Sequence, residues 1–296
     1  MSRFKRRPTK GRFLGRVRRR PLKSITILPS LVTLLNGVFG FAAIVLASTP
    51  VNPKVSTYTH FALASYLIFF AMIADMLDGR LARMSQTTSS FGGQLDSLCD
   101  MVSFGIAPAF IMLKIMQQHF PADGLGHSSL IQRFLWLAAL AYVSCAAIRL
   151  ARFNVENEDL GSAHMAFEGL PSPAAAGVLV SFVLFHQEMI PQQTLPLWIL
   201  PMLTIGVGML MVSRIPYSHV VNHYLKGKKP FGYLIKVLFF IGVVFFSSPQ
   251  TALMLIFLSF AASGLIRSVH QHLRSKQPLP LTADGDTQSA LDTPIT

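Results

Sequence analysis

Four aspartates, Asp75, Asp78, Asp96 and Asp100, fall close together in this sequence. On helices, Asp75 and Asp78 (i, i+3) share one face, and Asp96 and Asp100 (i, i+4) share another. Carboxylates gathered in this way repel one another. Hard divalent cations relieve that repulsion most simply, and oxygen donors suit Mg²⁺ or Mn²⁺. Four carboxylates can bridge two ions about 3.5–4 Å apart, the arrangement used for phosphoryl chemistry. Interhelical hydrogen bonding or a proton relay is the other chemistry open to such a group.

The elements that must position these acids are membrane helices. Apolar residues make up 51% of the 296 residues and charged residues 13%, against about 25% charged in an average soluble domain. Mean hydropathy is +0.48. Disorder is excluded, and a polytopic membrane protein is indicated rather than a soluble enzyme. With about 20 apolar residues needed per span, about eight transmembrane helices are expected, near 28–48, 59–76, 95–116, 131–150, 173–185, 195–212, 232–246 and 251–266. The first is read as a retained helix, since no small-residue cleavage signal follows it. Asp75 and Asp78 then end the second helix, Asp96 and Asp100 start the third, and the turn over 79–91 folds the two pairs together. A carboxylate so placed is costly unless paired or bound to a cation.

The net charge of +13 raises nucleic acid as a partner, but its distribution argues for a membrane. Residues 1–24 form a basic arm with no acid. With eight spans and both termini cytoplasmic, only Lys54, Lys114 and Arg133 of the 26 basic residues fall outside, as the positive-inside rule requires. A basic inner face suits anionic membrane lipid, and no nucleic-acid partner is expected. Residues 271–296 form a polar cytoplasmic tail without periodicity and are expected to be disordered.

The residues around the acids narrow the chemistry. The chain reads Asp75-x2-Asp78-Gly79-x2-Ala82-Arg83-x8-Gly92-x3-Asp96-x3-Asp100. This resembles the signature of the CDP-alcohol phosphatidyltransferase family, with all eight fixed positions at the right spacing. Chance assembly at one start point is on the order of 10⁻¹⁰ at average residue usage. The resemblance implies a six-helix core within an all-α membrane fold, residues 25–270 as the catalytic domain, and a CDP-activated lipid or alcohol as substrate with CMP as leaving group. It also implies that Asp75, Asp78 and Asp96 are metal ligands, and that Asp100 is the general base and also touches a metal. Gly79, Ala82, Arg83 and Gly92 are expected to line the CDP-lipid site. Asn36, buried in the first span, needs a polar partner. The family places it near nucleotide or metal, and helix–helix bonding is the alternative.

Further stretches resemble the serine-using branch of the family: 28–37, 95–109, 149–154 and 169–177. They imply CDP-diacylglycerol as donor and L-serine as acceptor. Serine brings a carboxylate to a site already full of acids, so a cationic anchor is required. Arg149, with Arg152 and Asn154 in support, is expected to provide it, because arginine grips carboxylates bidentately. The same two arginines also serve as positive-inside markers. The resemblance further implies a homodimer in a bacterial cytoplasmic (inner) membrane with the site facing the cytoplasm. Another acceptor (glycerol 3-phosphate, inositol phosphate or choline) is the rival within the family, and a divalent-cation transporter is the rival outside it.

The remaining chemistry-bearing residues add little. Cys99 and Cys145 lie in apolar runs, which excludes a disulfide scaffold and a cysteine zinc site. Nine histidines are scattered along loops and membrane edges. Neither a phosphate-binding Gly-x-x-x-x-Gly-Lys-Ser/Thr loop nor a Gly-x-Ser-x-Gly elbow is present.

Overall fold

The computed structural model describes residues 27–49, 58–84, 90–120, 128–159, 169–215, 242 and 248–275. The basic arm, the tail after 275 and almost all of the expected span 232–246 lie outside the described residues, while 271–275, expected to belong to the disordered tail, continue the last helix to Ser275. Within them every regular element is helical: α1 (Ile27–Ser48), α2 (Tyr58–Met84), α3 (Ser90–Asp100), a π-helical segment (Met101–Ile106), α4 (Ala107–His119), α5 (Ser128–Asp159), α6 (Ser172–Met189), a 3₁₀ turn (Leu195–Trp198), α7 (Ile199–Val212) and α8 (Pro249–Ser275).

Six of the described helical stretches are long and apolar enough to cross a membrane: Ser30–Ser48, His60–Leu81, Phe91–His119, Leu130–Glu156, Leu195–Val212 and Pro249–Ser268. Outward-facing residues such as Leu137, Phe41 and Met209, each more than 60% exposed, suit contact with acyl chains and would be costly in water. The protein is therefore an all-helical integral membrane protein. The expected fifth span falls on α6, which is not among these six, although its 18 residues reach about 27 Å at 1.5 Å per residue. Its apolar stretch looks short because the helix lies inside the bundle, between α2 and α8, with most of its side chains buried. Gly177 permits that packing, since a Cβ there would sit 2.2 Å from the Phe257 ring.

The core lies between α1, α2, the α3–α4 helix, α5 and α6. Phe104, Ile111, Met112, Ile115, Leu135, Tyr142 and Leu179 are among its largest fully buried members. The third span is interrupted by the π segment, where the Ala107 N–H reaches back to Val102 O. The Tyr142 hydroxyl of α5 donates to the Phe104 carbonyl within it (3.0 Å). On the other side α1 comes unusually close. A Cβ at Gly40 would lie 2.6 Å from Ser103 Cα, and one at Gly37 would lie 3.0 Å from Cys99 Sγ. Two glycines one turn apart thus let α1 approach the segment that carries Asp100.

Candidate active site

The end of α2 supplies Asp75 and Asp78, and α3 supplies Asp96 and Asp100. Carboxylate oxygens of Asp75, Asp78 and Asp96 lie within 4.8 Å of one another, so the two helices bring together acids about 20 positions apart in sequence. Asp78 is held by the Thr33 hydroxyl of α1 and the Gly79 backbone N–H. Asp78 Oδ2 and Asp96 Oδ1 are buried without a hydrogen-bond partner. A buried carboxylate oxygen without a donor is costly, and here three acids converge with no lysine or arginine ion pair to them among the described residues. Hard oxygen donors, close convergence and orphaned acceptors all fit a divalent cation.

Asp100 stands apart from this trio. It is 8% exposed, and its Oδ1 accepts a hydrogen bond from Asn36 Nδ2 at 2.9 Å. Asn36 is fully buried, and its backbone carbonyl accepts from the Ser103 hydroxyl at 2.9 Å. The fourth carboxylate is thus tied to α1 while remaining within electrostatic reach of Asp75 and Asp96. The partner that the sequence requires for Asn36 is Asp100 itself. Asn36 Oδ1 remains buried and unpartnered.

Gly79 lies at the end of the site on α2, where an added Cβ would meet nothing within 4 Å. Among the described residues its smallness serves no packing need, and the space beside Asp78 is open. Gly92 is half-buried on α3. Ala82 and Arg83 continue α2, but their side chains lie outside the described residues.

The three residues expected to serve the acceptor's carboxylate are distributed differently. Arg149 Nη1 donates to the Ser172 hydroxyl at 2.9 Å, its Nε is buried with no partner, and the guanidinium lies within electrostatic range of Asp100. Arg152 instead reaches the Val212 carbonyl at the end of α7 (3.4 Å), a favourable place for a cation on a helix C-terminus. Asn154 Oδ1 accepts from the Ser97 hydroxyl at 2.9 Å, which joins α5 to α3 beside Asp96. Sequence reasoning assigned no role to Ser172, Ser97, Ser103 or Tyr142. Ser172 lies in the 169–177 stretch that drew notice, but its partnership with Arg149 depends on the fold.

The profile of the CDP-alcohol phosphatidyltransferase family matches residues 26–213, from α1 to the end of α7. Among similar proteins is the CDP-diacylglycerol–serine O-phosphatidyltransferase of Helicobacter pylori, 32% identical over 249 residues, covering 83% of this chain and 93% of the relative. The protein of the same name from Methanocaldococcus jannaschii is 31% identical over 249 residues, covering 84% and 97%. That of Bacillus subtilis is 29% identical over 196 residues, covering 66% and 92%.

Proposed function

The chain belongs to the CDP-alcohol phosphatidyltransferase family, and on that premise we propose that it transfers the phosphatidyl group from CDP-diacylglycerol to the hydroxyl of L-serine, giving phosphatidylserine and CMP. The observation that carries this reading is the meeting of Asp75, Asp78 and Asp96 beside a fourth, separately held carboxylate, in a chain whose similar proteins bear the serine enzyme's name. Asp75, Asp78 and Asp96 hold the divalent metal, a pair of Mg²⁺ or Mn²⁺ ions. Bound there, such ions neutralise the pyrophosphate and the CMP that departs.

Asp100 is the general base. With Oδ1 engaged by Asn36, its other oxygen is free to take the proton of the serine hydroxyl. The serine oxygen bonds to the phosphorus that carries diacylglycerol. The bond from that phosphorus to the bridging oxygen breaks, and its electron pair leaves with CMP. Gly79 and Gly92, with Ala82 and Arg83, admit and flank the CDP group. Arg149 grips the serine carboxylate, which the acids would otherwise repel. Asn154 supports the pocket from α5. Arg152 bonds the end of α7 and so shapes the same region.

The lipid donor enters sideways from the inner leaflet of the cytoplasmic membrane, and serine and metal enter from the cytosol. The asymmetry of the basic residues supports that orientation, and the family resemblance supports a homodimer. One assay tests the function: purified protein with CDP-diacylglycerol, Mg²⁺ or Mn²⁺, and a panel of alcohols, scored by CMP release. Release with serine alone is the expected result. Release with glycerol 3-phosphate, inositol phosphate or choline in its place overturns the acceptor, and metal flux in liposomes without CMP release with any alcohol overturns the enzyme.

A further inference from the structure

An arginine that is to grip a carboxylate must present two N–H groups on one edge of its guanidinium. Arg149 has one nitrogen already engaged: Nη1 donates to Ser172 Oγ at 2.9 Å. The engaged nitrogen is the one on the Cδ side of the group, so the edge formed by Nε and Nη2 is left free. On that edge the Nε–H is buried and has no partner. A buried, unpartnered donor of a cationic group is an unmet demand for an acceptor, and a planar carboxylate satisfies both donors of that edge together.

Ser172 is itself firmly placed. It is 1% exposed and opens α6. Two of the three residues leading into it are strapped to α7 and the segment just beyond it, with the Gly169 N–H on Ile215 O (2.9 Å) and the Leu170 N–H on Leu210 O (3.0 Å). Gly169 has φ +83°, and a Cβ there would lie 2.4 Å from the Met211 carbonyl oxygen, so only glycine allows the strap to close. Arg152, one turn beyond Arg149, bonds the same end of α7. Ser172 is therefore a fixed acceptor on a rigid element, and it restricts rotation of the guanidinium about its long side chain.

We propose that Ser172 is a positioning residue for the acceptor substrate: by holding Nη1 of Arg149, it turns the Nε–Nη2 edge into a preformed, side-on fork for the serine carboxylate. This rests on the reading of Arg149 as the carboxylate anchor, and the test separates the two. Ser172→Ala removes one oxygen and the acceptor with it. The expected result is a rise of roughly tenfold in KM for L-serine, the loss typical of a hydrogen bond to a charged group. KM for CDP-diacylglycerol should stay within about twofold, which also reports an intact fold. Ser172→Thr, which keeps the hydroxyl, restores most of the affinity for serine. Should the alanine variant not yield folded protein, Ser172→Cys, a weak acceptor of similar size, is read in the same way.

Arg149→Lys, measured in parallel, keeps the charge and loses the fork, and its KM for serine rises at least as far. If Arg149→Lys leaves the serine KM unchanged, the anchor reading falls, and the role of Ser172 falls with it. If Arg149→Lys raises the serine KM and Ser172→Ala does not, the positioning role alone is overturned. A rise in both KM values together, or in that for CDP-diacylglycerol alone, assigns the Arg149 edge to a phosphate of the donor and also overturns the proposal.

Discussion

Replacing Asn36 tests how the base is presented. Asn36→Leu keeps much of the side-chain shape, excludes water, and removes the Nδ2 donor that lies 2.9 Å from Asp100 Oδ1. The bond from Ser103 to the Asn36 backbone carbonyl (2.9 Å) does not involve the side chain, so the contact of α1 with the π segment is retained. A hydrogen bond to an ionised acceptor contributes about 1.5–3 kcal/mol. Both partners here are buried, Asn36 at 0% and Asp100 at 8% exposure, so solvent does not screen the interaction. At about 1.4 kcal/mol per factor of ten, kcat should fall about 10- to 100-fold, because an unanchored carboxylate spends less time aimed at the serine hydroxyl. The assay is CMP release at saturating serine and CDP-diacylglycerol, with KM determined for each. KM for CDP-diacylglycerol should change less than about threefold, since the lost bond goes to the base and not to the nucleotide. A kcat within about twofold of the parent refutes the reasoning. A loss carried instead by KM for CDP-diacylglycerol returns Asn36 to the nucleotide site, one of the alternatives the family resemblance left open.

Chelation by EDTA should abolish CMP release, and Mg²⁺ or Mn²⁺ should restore it; activity that survives exhaustive chelation refutes the metal reading of the acid cluster. Asp96→Asn removes one member of the converging trio. It should weaken Mn²⁺ binding, measured by electron paramagnetic resonance, and lower turnover by at least about 100-fold, since even outer-shell partners of a metal contribute about 10–100-fold. Gly40→Ala and Gly79→Ala make a contrasting pair. At Gly40 the new Cβ would lie 2.3 Å from Ser103 Oγ and 2.6 Å from its Cα, overpacking that costs about 1–3 kcal/mol and should lower Tm. At Gly79 nothing lies within 4 Å, so Tm should hold or rise slightly while KM for CDP-diacylglycerol increases; an unchanged KM would show that no ligand occupies that space.

The acids were legible because their spacing carries their geometry. Residues three and four apart on a helix must share a face, and a short turn between two spans must bring the faces together, so Asp75, Asp78 and Asp96 needed no coordinates to be grouped. The division within the quartet was not legible. Nothing in Asp96-x3-Asp100 says that the second acid turns toward α1, because that depends on Gly37 and Gly40 letting α1 approach and on an amide at Asn36 ready to donate. The π segment was equally hidden: 101–106 falls inside one expected span, and it takes the Ala107 N–H bond to Val102 O and the Tyr142 hydroxyl arriving from α5 to mark the irregular backbone. The sequence ranked Arg149 above Arg152 only through the family resemblance, since both are basic residues three positions apart on one helix. Tertiary contacts separate them, one to Ser172 and the other to the end of α7.

The separation of Asp100 from the other acids has a chemical reason. A carboxylate whose lone pairs are all committed to cations is a poor proton acceptor, so an aspartate proposed as base, even one that also touches a metal, needs an oxygen left for the proton. The fold divides them with a neutral donor: Asn36 satisfies one oxygen of Asp100 without adding charge, and the close approach of α1 holds both residues in a buried setting. Irregular helix at a functional site is a recurrent device for re-aiming a side chain. Here it begins one residue after the proposed base, at Met101. The backbone of this segment is tied to α5 through Tyr142, and its side chain Ser103 is tied to α1 through Asn36. The orientation of Asp100 therefore depends on three helices at once, so substitutions at Tyr142 or Ser103, neither proposed to bind substrate, should act on turnover through Asp100 rather than on the binding of metal by the trio.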